Sequence, residues 1–203
     1  GAQARAQFGV PSDAPLILTA GRLVRKKGFE FLIDAMAKLA PEWPELRLMI
    51  VGGGDLDEEL RQRARDAGLG HRVTFTGNVL QDAIPSYLNA ADLAIVPSVK
   101  DAAGNVDGLP NFLLEALVSG TAVVTTDVGG ISSVAKDGYT AAVVPPANPG
   151  RLADAIDTLL RHPERRRTLA TAARTELEKS RSWATVAERF ELIYDRLAET
   201  SSR

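Results

Sequence analysis

The stretch Gly21-Arg22-Leu23-Val24-Arg25-Lys26-Lys27-Gly28 crowds basic side chains into a glycine-punctuated loop just ahead of a helical pattern. Cations at the start of a helix oppose its dipole, which favours negative charge at that end. An anionic ligand would resolve the conflict; an ordinary solvated basic turn is the alternative. A second stretch runs from Asp107-Gly108-Leu109-Pro110-Asn111-Phe112 through Glu115 to Gly120. Pro110 suits the first position of a helix and Gly120 its end. Because Pro110 has no N–H, the free donors of this helix start are predicted to be those of Asn111, Phe112 and Leu113. Three backbone donors at a dipole-positive end suit a phosphate or diphosphate. Glu115 interrupts the apolar run that follows. A carboxylate inside a buried helix needs a partner. Sugar hydroxyls would serve, since an ionised Glu accepts several hydrogen bonds; a core Arg or backbone N–H groups would serve equally. Asp107, just outside the helix, reads as a ligand-facing acid or as a turn residue.

Other candidates carry less. Gly52-Gly53-Gly54-Asp55 would let a backbone or ligand approach closely, but would also make a flexible turn before a helix. It is not the dinucleotide fingerprint, which belongs to the first strand-to-helix turn with different spacing. His71 and His162 stand alone and read as structural. The acidic run Asp55, Asp57, Glu58, Glu59 reads as a helix start and a solvated face, and no metal-ligand cluster is expected. A formal net charge of −2 supplies no general field for nucleic acid or an anionic membrane, so any anionic ligand must be held by local basic groups. The absence of Cys excludes disulfides and thiolate chemistry and permits a cytosolic setting. No apolar run approaches the roughly 18 residues needed to cross a bilayer, and Gly1-Ala2-Gln3-Ala4-Arg5 lacks the apolar centre of a signal peptide.

The elements that must position these residues follow from periodicity. Apolar runs rich in β-branched residues recur at Leu16–Ala20, Leu46–Val51, Val73–Thr76, Leu93–Val96, Ala122–Thr125 and Ala141–Val144. Most do not alternate, which is the pattern of strands buried on both faces of a parallel sheet. Helical stretches are predicted at Phe29–Leu39, Asp57–Ala67, Ile84–Ala90, Phe112–Ser119, Leu152–Leu160 and Trp183–Leu197. Alternation of strand and helix predicts an α/β fold: one Rossmann-like, doubly wound parallel sheet of about six strands. Ligands in such folds sit beyond the carboxyl ends of the strands. Pro145–Gly150 reads as a linker into C-terminal helices, so residues 1–203 are expected to form one domain.

Taken in order, these residues resemble the C-terminal lobe of GT-B glycosyltransferases of the retaining family 4 (GT4) type. The resemblance runs through Phe8-Gly9-Val10-Pro11, Gly21-Arg22, Lys27-Gly28, Gly52–Gly54, Phe75-Thr76-Gly77, Ala91-Asp92, Pro97-Ser98, Asp107–Glu115, Val128-Gly129-Gly130 and Val144-Pro145, nearly the whole chain. It implies that Arg22 and Lys27 grip a donor diphosphate, that Glu115 bonds the ribose hydroxyls, and that Asp107 contacts the transferred sugar near the reaction centre. The family has Glu at the position of Asp107, so the shorter Asp leaves that contact open. It has Pro and Glu at the positions of Ser132 and Ser133, which weakens a helix start there. The nucleobase would lie by Gly77-Asn78-Val79. The implied catalytic residues are Arg22, Lys27 and Asp107; the implied donor-binding residues are Gly21, Asn78, Val79, Asn111, Phe112, Leu113 and Glu115.

The resemblance further implies a metal-independent hexosyltransferase that uses no cofactor. Its donor would be a nucleotide diphosphate sugar, UDP- or GDP-linked in preference to ADP-linked. The acceptor, a sugar, lipid or small molecule, would be held by an N-terminal domain that this chain lacks. The helices from about 150 to 203 would pack on the sheet or reach toward that domain. Membrane contact would come only through the other half, nucleic acid is not an expected partner, and the setting would be cytoplasmic. Asp107 in place of Glu keeps a second reading open, a noncatalytic nucleotide-sugar-binding or regulatory domain. A sugar-nucleotide epimerase is disfavoured because no paired acid–base set is visible, and a nicotinamide dehydrogenase because the glycine fingerprint is absent.

Overall fold

In the computed structural model the described residues are 2–181 and 183–201; Gly1, Ser182, Ser202 and Arg203 lie outside them. Six strands, β1 (Leu16–Ala20), β2 (Arg47–Val51), β3 (Val73–Gly77), β4 (Leu93–Val96), β5 (Val123–Thr126) and β6 (Ala142–Val144), form one sheet in the order β3-β2-β1-β4-β5-β6. Every pairing is parallel. The continuous apolar runs therefore did mark strands covered on both faces: β1, β4 and β5 are buried along their whole length.

The helices are α1 (Ala2–Gln7), α2 (Phe29–Leu39), α3 (Asp57–Asp66), α4 (Ile84–Ala90), α5 (Asn111–Ser119), α6 (Pro149–Arg161), α7 (Pro163–Arg181) and α8 (Trp183–Ser201). Successive strand residues point to opposite faces, which splits the core in two. Ile17, Leu48, Ile50, Ile95 and Val124 pack with apolar residues of α2, α3 and α6. Leu16, Leu18, Met49, Ala94 and Val123 pack with those of α4, α5 and α7. The doubly wound architecture expected from the sequence is the one observed. Strand order reverses direction between β1 and β4, and in such sheets ligands bind at the carboxyl edge near that switch.

The stretch after Gly130, where Ser132 and Ser133 weaken a helix start, makes only a single tight turn, Ile131–Ser133. Two local readings are corrected. Pro110 is the N-cap of α5, with extended ψ of 127°, and the helix begins at Asn111. The segment 145–150 is a linker only in part: Pro149 and Gly150 already belong to α6, whose N-cap Asn148 accepts the Arg151 N–H at 3.0 Å. Helix α7 has no counterpart in the sequence reading. Its buried face, Leu169, Ala170, Ala173 and Leu177, is half alanine, and its remaining positions are largely charged, so the apolar period is faint. Helix α8 meets α7 and leaves Phe190, Leu192, Ile193 and Tyr194 exposed.

Candidate functional site

A cleft of about 290 Å³ opens at the carboxyl edge of the sheet, lined by Ala20, Gly21, Val51, Gly52, Asn78, Val79, Gln81, Ile84, Asn111, Phe112 and Glu115. Its floor is made where β1, β2 and β3 end. The ladder continues past the strands: Gly21 N–H donates to Val51 O at 2.9 Å, Gly52 N–H to Gly77 O at 2.9 Å, and Leu23 N–H to Gly53 O at 3.0 Å. Position 52 must be glycine, because a Cβ there would lie 2.1 Å from the Gly21 carbonyl oxygen and φ is +130°. The Asn78 side chain lies over Gly53, within 3.1 Å of where a Cβ would stand.

The first turn of α5 forms the opposite wall. Asn111 is exposed and Phe112 is buried beneath it. Among the described residues the N–H groups of Asn111 and Phe112 have no acceptor, whereas Leu113 N–H donates to Pro110 O at 3.1 Å. The expectation of three free donors is thus corrected to two. Because Pro110 is the cap, its carbonyl reaches back to close the first turn on Leu113, and the Leu113 side chain is fully buried. Glu115, one turn further, faces the cleft and is half-buried, not enclosed in the core. Its carboxylate accepts a 3.3 Å bond from Gln81 Nε2. The sequence did not single out Gln81, since its polar side chain sits on a tight turn after β3 with no motif around it.

The basic loop folds into one tight turn, Arg25–Lys27, ending at Gly28. Gly28 has φ +67°, and a Cβ on it would lie 2.1 Å from Pro97 O, so the loop after β1 packs directly on the loop after β4. Val99 N–H donates to Lys26 O at 2.9 Å and locks the two together. Consecutive side chains then diverge. Arg25 turns outward to Glu59 of α3 through both guanidinium N–H groups. Lys27 lies along Gly21, its Cε 3.3 Å from where a Cβ would stand. Its Nζ is 2.6 Å from Asp107 Oδ2, and Lys26 Nζ is 3.2 Å from Asp107 Oδ1. Arg22 is exposed beside Gly21; its carbonyl accepts from Val24 N–H at 2.9 Å, and its side chain has no hydrogen bond or ion pair among the described residues.

The structure therefore brings Gly21, Asn78, Val79, Asn111, Phe112 and Glu115 to one cleft, with Lys27 on its edge. Asp107 is not on the cleft wall. It is only 6% exposed, with both oxygens facing ammonium groups and Ser98 Oγ at the 3.5 Å outer limit of a hydrogen bond. A larger cavity, about 640 Å³, lies between α2 and α3, lined by Asp34, Glu58, Glu59, Gln62, Arg63, Asp66 and Ala67. Its carboxylates would repel an anion, and Arg63 is bound by both guanidinium donors to Asp34. Among the described residues, no three His, Asp or Glu side chains are grouped to hold a metal ion. No helix of the described residues is long and apolar enough to cross a membrane.

Comparison with known proteins agrees with this fold. Residues 2–176 match the family described as glycosyl transferases group 1. The GDP-mannose-dependent alpha-(1-6)-phosphatidylinositol monomannoside mannosyltransferase of Mycobacterium tuberculosis is 33% identical over 92% of this chain and 47% of its own length. The solved sucrose-phosphate synthase of Thermosynechococcus elongatus superimposes with a TM-score of 0.83 at 32% identity, over 98% of this chain and 49% of that one. The Anabaena protein HepE, solved with UDP-glucose, superimposes with a TM-score of 0.80 at 27% identity, over 99% of this chain and 52% of that one. The chain spans about half the length of the curated relatives it matches.

Proposed function

This chain belongs to the glycosyl transferases group 1 family, and on that premise we propose that it is the nucleotide-sugar-binding lobe of a retaining, metal-independent hexosyltransferase. The cleft carries the reading: free N–H groups of Asn111 and Phe112 at a helix start face Gly21, on which Lys27 lies, with Glu115 on the same wall. A diphosphate fits the amino end of α5, where the helix dipole and orphan donors favour negative charge. Lys27 and Arg22 add side-chain cations. Glu115 is placed to accept from the ribose hydroxyls, and the turn at Asn78 and Val79 borders the nucleobase.

In the proposed reaction, the bond between the anomeric carbon and the diphosphate oxygen breaks while the acceptor hydroxyl adds to that carbon. Negative charge grows on the departing diphosphate. On this reading Arg22, Lys27 and the α5 donors stabilise that charge, and preorganised stabilisation of this kind is worth about 3 kcal/mol per donor. The acceptor proton goes to the departing diphosphate oxygen, and configuration is retained by attack on the face the diphosphate leaves. The acceptor, a sugar, lipid or small molecule, would be held by a further lobe; the exposed apolar residues Phe190, Leu192, Ile193 and Tyr194 of α8 are a suitable surface for it. A UDP- or GDP-linked donor and a cytoplasmic setting complete the proposal. The choice of donor rests on HepE, which was solved with UDP-glucose, and on the GDP-mannose-dependent mannosyltransferase.

Calorimetric titration of the chain with UDP, GDP and ADP tests the reading. One of the first two should bind, and Lys27→Ala should weaken it at least tenfold. Binding that is indifferent to Lys27→Ala would remove the assignment.

A further inference from the structure

Asp107 faces two ammonium groups where one would neutralise it. A buried carboxylate requires a counter-charge, and Lys27, at 2.6 Å, supplies it. Lys26, at 3.2 Å from the other oxygen, is then surplus to the needs of the fold. It is also firmly placed. Its carbonyl is held by Val99 N–H, and its side chain is 28% exposed against 18% for Lys27. The neighbouring Arg25 is committed elsewhere, to Glu59. One further acid, Asp101, feels the field of Lys26, but it is partly exposed, so solvent screens it, and its carboxylate is held by the N–H groups of Ala103 and Asn105 and the Asn105 side chain.

Resting on the donor-binding reading above, we propose that Lys26 is a positioning residue that neutralises Asp107, so that Asp107 can hold Lys27 at the cleft edge without cancelling its charge toward a diphosphate. Asp107 is then the anchor of Lys27. Asp107 with both lysines carries +1 at the cleft edge. Removing Lys26 leaves Asp107 and Lys27 as a neutral pair. Removing the charge of Asp107 as well returns Lys27 to +1. Geometry agrees: both Asp107 oxygens face ammonium groups, and each ammonium keeps further N–H donors beyond the one directed at Asp107.

The test is a double-mutant cycle read by calorimetric titration of the chain with UDP, with GDP as the second probe and UMP and GMP as controls. Lys26→Gln should weaken the diphosphate that binds at least fivefold and leave its monophosphate within twofold. Adding Asp107→Asn to Lys26→Gln should restore diphosphate affinity to within twofold of the parent. Lys26→Arg, which keeps the charge, should stay near the parent. A double variant as weak as Lys26→Gln, or weaker, overturns the inference. So does Lys26→Gln without effect while Lys27→Ala weakens binding, and that outcome leaves the donor-binding reading standing. Loss of effect in Lys27→Ala as well, or no binding of either diphosphate by the parent chain, overturns both.

Discussion

Strand β4 has a carboxylate flanked by two cations at each end, and the two arrangements differ in what the cations have left to give. At the amino end, Asp92 accepts Arg5 Nη2 at 2.6 Å and Leu16 N–H at 2.8 Å, with Arg166 at 4.0 Å. Arg5 Nη1 also donates to Ala14 O at 2.7 Å, and Arg166 Nη1 to Leu159 O and Leu160 O at 2.9 and 3.1 Å. Those guanidinium groups tie the lead-in segment and the α6–α7 corner to the sheet, and their donors are committed. At the carboxyl end, Lys26 and Lys27 each direct one N–H to Asp107, and neither side chain has a further hydrogen bond or ion pair among the described residues. The same ratio of charges thus builds a structural knot at one edge and a surface with donors in reserve at the other. A planar guanidinium suits the knot because it bonds several carbonyls at fixed angles; an ammonium suits the open edge because its remaining donors rotate.

The largest expected effect breaks the knot. Arg5→Ala should lower unfolding free energy by about 3 kcal/mol, since it strands a part-buried carboxylate and several backbone carbonyls. That loss corresponds to roughly 6–12 °C in Tm for a chain of this size. The folded variant should bind UDP or GDP as the parent does. An unchanged Tm would show that the amino-end cations are not structural.

Arg22 gives the opposite signature. It is exposed and unpartnered among the described residues, so nothing in the fold depends on its charge. Arg22→Ala should leave Tm within about 1 °C and weaken the nucleoside diphosphate by about 2 kcal/mol, near thirtyfold. A fall in Tm with intact binding would reverse the contrast between the two ends.

This contrast was half visible in the sequence. Burial of the strands and of α2 was legible because apolar period and length agree there, and the carboxyl-edge placement of Gly21, Asn111 and Glu115 followed from the alternation of strand and helix. Arg5 and Asp92 carried no such signal. Their partnership spans 87 positions, and no local period encodes an ion pair. The direction of Lys26 and Lys27 was hidden for a related reason. On a tight turn, adjacent side chains can diverge or converge, and only the packing of Gly28 on Pro97 sets which. The free donors at α5 were overcounted because sequence does not show that the first turn closes with an i→i−3 bond, Leu113 N–H to Pro110 O.

A third experiment sharpens the cleft side. On the proposed reading, Glu115 accepts from ribose hydroxyls, and a charged hydrogen bond is worth about 1.5 kcal/mol or more. The parent should prefer UDP over 2′-deoxy-UDP by about tenfold, or GDP over 2′-deoxy-GDP, and Glu115→Gln should shrink that ratio toward unity. An undiminished ratio in the variant would place the pentose elsewhere.

The smallest effect comes from an acid remote from the cleft. Asp157 of α6 accepts Trp43 Nε1 at 2.8 Å and both oxygens meet Arg161 Nε at 2.9 Å, with the Arg161 guanidinium over the Trp43 ring. Its carboxyl is held below the usual range, chiefly by the Arg161 hydrogen bond, which outweighs burial, with help from Trp43 and the charges of Arg161 and His162. A carboxyl depressed in the folded state contributes stability above its unfolded pKa and loses it as pH falls through the folded value. Asp157→Ala should therefore cost under about 1 kcal/mol at pH 7, as solvent screens the pair. The gap in Tm between parent and variant should close as pH falls below about 4. A gap that persists in acid would mean that Asp157 acts through packing and not through its charge, and would place it with the neutral contacts of the core.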